Sequence, residues 1–121
     1  MSTIIQDLRL PLAMPGEITA LKETAKALSA YHDVLEVVVF GSRVRGDFTG
    51  DSDMDVLVVI SEADLDLENK VIHVLSELEL KYDVPLSPVI FTKREYDINK
   101  NMGSPFISNV EREGIVLYAF E

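Results

Sequence analysis

The chain has 121 residues, of which 47% are hydrophobic, and its formal net charge is −10. This length predicts one domain over residues 1–121 with a sizeable core. The chain has no cysteine, which excludes disulfides and thiolate zinc sites, and no apolar run of about 18 residues, which excludes a membrane-spanning helix. Because acidic proteins repel phosphate backbones, direct binding to DNA or RNA is disfavoured. The lack of cysteines and of a membrane-spanning segment leads us to expect a cytoplasmic protein.

The first half of the chain predicts one helix and two strands. Residues 1–15 lack a signal-peptide cleavage site, and we expect either a disordered arm or an added strand there. Apolar residues at helical spacing predict a helix over residues 16–31. Segments rich in β-branched residues predict strands over 35–40 and 54–60. Between these strands, residues 46–52 show no apolar periodicity and predict an exposed, mobile loop.

The second half predicts three helices and two strands. In chain order these are a helix that begins at Ser61 or Asp64 and ends near Tyr82, a strand over 86–91, a short helix from Thr92 to about Asn99, a helix from Pro105 to Gly114, and a strand over 115–120. Pro88 lacks an N–H, so the third strand should lie at a sheet edge or be interrupted. Thr92 and Glu95 form a capping-box sequence. The order predicts an α/β (α+β) sandwich, with a mixed sheet of about four strands and helices packed on one face.

A Gly-Ser pair follows the first predicted strand, and an Asp-x-Asp pair opens the second. Asp53 and Asp55 should project to the same face, about 6.6 Å apart along the strand. Gly41 and Ser42 can offer backbone N–H groups to phosphate, because a short helix is expected to begin at Ser42. Carboxylates bind Mg²⁺ beside substrate phosphates, and two such ions can assist attack and pyrophosphate departure. The pattern predicts a site for magnesium and a nucleoside triphosphate.

Residues 41–55 resemble the active-site signature of the minimal nucleotidyltransferases, a group within the DNA polymerase β-like superfamily. The positions that carry the resemblance are Gly41, Ser42, Arg45, Gly46, Ser52, Asp53 and Asp55. The resemblance extends over roughly residues 16–119 and implies the polymerase β-like nucleotidyltransferase fold. It implies that Asp53 and Asp55 are catalytic and bind two Mg²⁺ ions. The nucleotide-binding residues that it implies, with ATP as the substrate, are Gly41, Ser42, Arg45 and Ser52.

One position departs from the family pattern. Active members carry a third carboxylate on a later strand, where it faces the Asp pair, binds the catalytic metal and helps to deprotonate the nucleophile. Residues 84–90 contain no acid. Ser87 is the best candidate for the equivalent position, and Asp83 could reach the site only if the strand started early.

The family resemblance implies a function and leaves one alternative open. Minimal nucleotidyltransferases resemble the antitoxins of two-gene modules whose toxin is a helical HEPN-domain ribonuclease, and several are thought to transfer AMP to a tyrosine of that toxin. This chain has no extra helical domain to present an acceptor, and its charge fits a basic partner. The resemblance therefore implies ATP- and Mg²⁺-dependent transfer of AMP to a hydroxyl of a HEPN-like protein. The missing acid leaves open a catalytically silent module that neutralises the toxin by covering it.

Overall fold

The computed structural model describes residues 2–4, 15–41 and 53–120. The helices in these residues are α1 (Pro15–Leu28), α2 (Leu65–Tyr82), α3 (Lys93–Asn101) and α4 (Pro105–Glu113). The strands are β1 (Ser2–Ile4), β2 (Val34–Phe40), β3 (Met54–Ile60), β4 (Leu86–Thr92) and β5 (Ile115–Phe120). Within the described ranges, no helix is long and apolar enough to cross a membrane.

The strands form one mixed sheet in the order β1–β5–β2–β3–β4. β3 and β4 are parallel, whereas the other neighbouring strands are antiparallel. The parallel pair is connected through α2, as parallel strands need a long crossover. β4 lies at the edge of the sheet, where the missing N–H of Pro88 is tolerated, so the edge position predicted for this strand is confirmed.

Local sequence signals placed most element boundaries correctly. β3 and β5 span the predicted residues, and both hydrogen bonds of the capping box between Thr92 and Glu95 form. Asp64, one of the two predicted caps, accepts a hydrogen bond from the Leu67 N–H at 3.1 Å. α1 ends at Leu28 rather than near residue 31, because the following N–H groups of Ala30 and Tyr31 bond three residues back and tighten the chain into a turn.

The layers around the sheet differ from the expectation in two ways. Ser2–Ile4 pairs with β5 and adds a fifth strand, which is the added-strand alternative for those three residues. Helices also cover both faces of the sheet, so the expectation of one covered face was wrong. α1 and α2 pack on the main core, whereas α3 and α4 contribute to a second cluster that includes Val38 and Leu57. The reason is that β2 and β3 are apolar at consecutive positions and therefore bury side chains on both faces.

Gly114 joins α4 to β5 at a place with no room for a side chain. Its N–H donates to the Val110 carbonyl at 2.7 Å. A Cβ at this position would meet that carbonyl oxygen and would lie 2.6 Å from the Val38 Cγ1 atom. We predict that Gly114→Ala lowers the free energy of unfolding by about 1–3 kcal/mol, because the added methyl overpacks a rigid contact.

The matched control for this substitution is Gly16→Ala in α1, where an added Cβ would meet no atom within 4 Å. We expect the control to leave the free energy of unfolding unchanged or to raise it by up to about 1 kcal/mol, because alanine favours helices. Urea denaturation of the two variants and the native chain measures the difference. Equal stability of the two variants would contradict the close packing at Gly114.

Candidate active site

The candidate site lies where β2 ends and where β3 and β4 begin. Asp55 pairs with Phe40 across the antiparallel ladder and with Ser87 across the parallel one. Asp53 and Asp55 alternate with Met54, which is buried in the main core, so both carboxylates project toward the second face of the sheet. Three strand ends therefore bring the Asp pair together with Gly41 and Ser87.

Gly41 lies against Asp55 in a backbone conformation that favours glycine. Its φ is +102°, a backbone conformation that other residues rarely adopt. A Cβ at this position would lie 2.5 Å from the Asp55 Oδ2 atom. The turn after β2 therefore gives Gly41 a steric role beside Asp55, in addition to the phosphate-binding role that the sequence predicts.

Ser87 lies beside the Asp pair. Its hydroxyl donates a hydrogen bond to the Asp53 Oδ2 atom at 2.7 Å. β4 continues through Pro88 without a break, and Ser87 shares the sheet face of Asp53 and Asp55. The structure thus places a neutral hydrogen-bond donor beside Asp53 at position 87, the candidate position for a third carboxylate.

Glu79 of α2 holds the start of β4 in place, and the sequence analysis missed it. Its Oε1 atom accepts a hydrogen bond from the Leu86 N–H at 2.8 Å. The Met54 N–H donates to the Pro85 carbonyl at 3.0 Å, which ties β3 to the same point. Together these bonds position the residue before Ser87. No sequence signal could reveal Glu79, because its partner is a backbone group that comes close only after α2 and β4 have formed.

Asp83 belongs to a turn and not to the site. It is the C-cap of α2 in the left-handed conformation, with φ 54°, and its N–H donates to the Glu79 carbonyl. β4 begins at Leu86, so the early strand start that would bring Asp83 to the Asp pair does not occur. Three other candidates, Ser42, Arg45 and Ser52, lie outside the described residues, as do the short helix expected from Ser42 and the loop over residues 46–52.

The carboxylates of Asp53 and Asp55 repel each other, and a bound cation would offset this repulsion. Burial raises the pKa of Asp55, and the negative charge of Asp53 raises it further. In the described part of the chain, no group of three or more His, Cys, Asp or Glu residues could hold a metal. Mg²⁺ usually binds one or two carboxylates together with substrate phosphates. The donor set of Asp53 and Asp55 therefore fits magnesium that arrives with a nucleotide.

The Asp pair gives a test by titration. We predict that Asp53→Asn lowers the pKa of Asp55 but leaves it above its ordinary value of 3.8, because burial is the larger cause. Carboxyl ¹³C NMR measures this pKa, and Asp66→Asn on α2 is a control that should not change it. Because folding raises this pKa, Asp55 stabilises the fold below pH 3.8, and the contribution disappears as the pH rises through the folded-state value. An unchanged Asp55 titration in Asp53→Asn would contradict the coupling.

Comparisons with known proteins identify the family of this chain. The family profile described as "Nucleotidyltransferase domain" matches residues 21–117. Two Methanocaldococcus jannaschii proteins, each named a "putative protein adenylyltransferase", are similar. One is 37% identical over 101 residues, which are 81% of this chain and 95% of that protein. The other is 36% identical over 105 residues, which are 85% of this chain and 99% of that protein.

A crystal structure of a "putative nucleotidyltransferase" from Sulfolobus solfataricus is 19% identical, covers 87% of this chain and 88% of that chain, and has a TM-score of 0.47. The family match spans most of the chain and includes both the Gly-Ser pair and the Asp-x-Asp pair. The chain therefore belongs to the nucleotidyltransferase domain family and has its polymerase β-like fold.

Proposed function

We propose that this protein transfers AMP from ATP to a hydroxyl group of a partner protein, in the presence of magnesium. The observation that carries the proposal is the convergence of Asp53, Asp55 and the side-chain-free Gly41 at one corner of the sheet. The names of the two Methanocaldococcus jannaschii relatives, both similar over more than four-fifths of this chain, support AMP as the transferred group and a protein as the acceptor.

The reaction exchanges one phosphorus–oxygen bond for another. The acceptor oxygen attacks the α-phosphorus of ATP, the bond from that phosphorus to the bridging oxygen breaks, and pyrophosphate leaves with the bonding electrons. When bound, magnesium supplies positive charge to the phosphates and to the attacking oxygen. In this chain, Asp53 and Asp55 would hold the ions, and Gly41 lets the backbone approach the phosphates.

The proton of the acceptor hydroxyl must move to a base. The Ser87 hydroxyl donates a hydrogen bond to Asp53, so it does not act as that base in this arrangement. Transfer by this chain alone should therefore be slow unless the partner supplies a carboxylate. Ser42, Arg45 and Ser52 complete the nucleotide site in the proposal.

The acceptor in the proposal is a tyrosine of a HEPN-like helical toxin, and the present chain is its antitoxin. The support is the net charge of −10, which favours a basic partner that presents the hydroxyl. The proposed reaction takes place in the cytoplasm, where ATP is available.

One observation favours a second candidate function. Ser87, the candidate for the third-acid position, is neutral and donates a hydrogen bond to Asp53. A nucleotidyltransferase domain without that acid can keep its fold and its partner surface while transfer is lost. In this alternative, the chain neutralises the toxin by binding it and performs no chemistry.

Magnesium-dependent binding of ATP is the first test of the site. We predict that replacing both Asp53 and Asp55 with Asn weakens binding of Mg-ATP at least about tenfold in calorimetry, because the metal loses both carboxylates. The matched control is Asp66→Asn, which removes a carboxylate from the exposed pair with Lys70 and should bind like the native chain. Unchanged binding by the double variant would show that the site is misassigned.

Restoring an acid at position 87 separates the two candidate functions. We predict that Ser87→Asp increases transfer of labelled AMP to the helical protein encoded by the neighbouring gene, because it adds a metal ligand and a general base. The control is Ser76→Asp on the exposed side of α2, which should leave transfer unchanged.

Three outcomes are informative. Rapid transfer by the native chain would show that two carboxylates suffice or that the partner supplies the third. No transfer by either protein, with the partner still bound and neutralised, would favour the silent module. Equal stimulation by Ser76→Asp would rule out a specific role for position 87.

A further inference from the structure

Among the described residues, helices cover only part of the second face of the sheet. α3 packs on β3 and β4, and α4 packs on β2. Val116 and Phe120 of β5 are 47% and 49% exposed, which is unusual for large apolar side chains in a central strand. The apolar surface of β5 thus continues beyond the edge of the helical layer.

Two shallow cavities of about 150 and 210 Å³ lie beside these side chains. Glu36 and Tyr96 line both cavities, Phe120 lines the first, and Val116 lines the second. We call the surface formed by Glu36, Tyr96, Val116 and Phe120 the β5 face. It combines apolar side chains with the carboxylate of Glu36, which lines both cavities; Lys93 also lines the first cavity, and Glu111 also lines the second.

The Glu36 carboxylate is half-buried and has no direct partner in the part of the chain that the structure describes. Burial raises its pKa, and Lys93 lowers it in part. Lys93 is bound to Asp97 at 2.9 Å, and Lys100 is bound to Glu111 at 3.0 Å. Among the described residues, no side chain forms a hydrogen bond or ion pair with the Glu36 carboxylate. Leaving a half-buried carboxylate unpaired is unfavourable, and an external cation would relieve the cost.

Tyr96 forms a fixed wall between the two cavities. Its hydroxyl donates to the Glu111 Oε2 atom at 3.2 Å, and burial together with the nearby carboxylates raises its pKa to about 12. The phenol therefore stays protonated and keeps this hydrogen bond at physiological pH. The hydrogen bond restrains the Tyr96 side chain before any partner arrives, which lowers the entropy cost of ordering that side chain in a complex.

We propose that the β5 face binds an amphipathic, basic helix of a partner protein. Apolar side chains of that helix would pack on Val116 and Phe120, and a Lys or Arg would pair with Glu36. A helix fits because α3 and α4 already form an incomplete helical layer on this face. The net charge of −10 favours a basic partner and opposes a second copy of this chain.

The β5 face and the candidate active site share one side of the sheet. Glu36 pairs with Val59, and Phe40 pairs with Asp55, four residues further along each strand. At about 3.3 Å per residue, the two places are about 13 Å apart. A helix bound on the β5 face would therefore hold its protein close to Asp53 and Asp55. The inference rests on the proposed function where it identifies the partner that carries the helix with the acceptor of AMP. The experiment that tests the inference measures binding alone.

Binding can be measured with defined peptides and the full chain. The probe is a synthetic helical peptide of about 18 residues, about 27 Å long, with a leucine stripe flanked by arginines. One control peptide has glutamate in place of arginine, and another has the same composition with two central prolines that break the helix. We expect fluorescence anisotropy to detect binding of the basic helical peptide and much weaker binding of both controls.

Variants locate the binding surface. Glu36→Gln should weaken binding on the order of tenfold, whereas Glu62→Gln, which removes the same charge at an exposed loop position, should not. Val116→Thr keeps the β-branched shape and should weaken binding several-fold, whereas Leu80→Thr, at a residue that is 85% exposed on α2, should have no effect. Thermal denaturation checks that each variant is folded.

Several results would overturn the inference. The basic and acidic peptides could bind equally well, or no peptide could bind. Glu36→Gln and Glu62→Gln could weaken binding of the basic peptide equally. The native chain could also associate with itself in a way that Phe120→Ser abolishes. The variant with Asn at both 53 and 55 should bind the peptide like the native chain. Normal peptide binding without AMP transfer to any partner would count against the proposed function and leave the β5 face in place.

Discussion

The parallel register between β3 and β4 is the constraint on which the candidate site depends. It places Ser87 beside Asp55 and within hydrogen-bond distance of Asp53. A slip of one residue would turn the Ser87 side chain to the opposite face of the sheet, because side chains alternate along a strand. The bond from Leu86 to Glu79 opposes such a slip, since it fixes the first residue of β4 to a helix on the other side of the sheet.

The second face of the sheet supports the other half of the site. Phe40 is the last residue of β2 and comes directly before Gly41. Phe106 of α4 packs edge-on against Phe40, with ring centroids 5.4 Å apart, and against Phe91 at 5.7 Å. These contacts connect α4 to both β2 and β4. The contact with Phe40 lies directly beside Gly41, whereas Phe91 lies near the end of β4 that is opposite to Ser87. The second layer therefore supports the end of β2 that carries Gly41.

The sequence predicted most of the local structure because the relevant signals act over a few residues. The capping box at Thr92, the Pro105 start and the β-branched run of β3 each depend on neighbours in the chain. The consecutive apolar residues Val37, Val38 and Val39 are typical of a strand that is buried on both faces. The order of the helices along the chain did not show which of them would pack on the second face, because that depends on contacts that form only in the folded chain.

The candidate site shows the same division between local and long-range information. The spacing of Asp53 and Asp55 predicted a shared face, and the period of two placed Ser87 on that face. The steric fit between Gly41 and Asp55, the hydrogen bond from Ser87 and the role of Glu79 depend on side chains that meet only in the folded chain. No sequence pattern singled out Glu36. Its lack of an ion-pair partner among the described residues results from the pairing of Lys93 and Lys100 with other carboxylates, which can be seen only in the folded chain.

Ser87 changes the electrostatics of the site without blocking it. The Asp53 Oδ2 atom has a second lone pair, so it can accept the hydrogen bond from the Ser87 hydroxyl and still coordinate a metal ion. A carboxylate at position 87 would add a third negative charge and raise the pKa of Asp55 beyond the effect of Asp53. The serine therefore keeps the repulsion between the carboxylates lower than an acid at position 87 would. Under the proposed function, it would also weaken the attraction of the site for Mg²⁺. A partner that brings its own carboxylate to this corner would then restore the attraction only in the complex, which would confine rapid transfer to the bound acceptor.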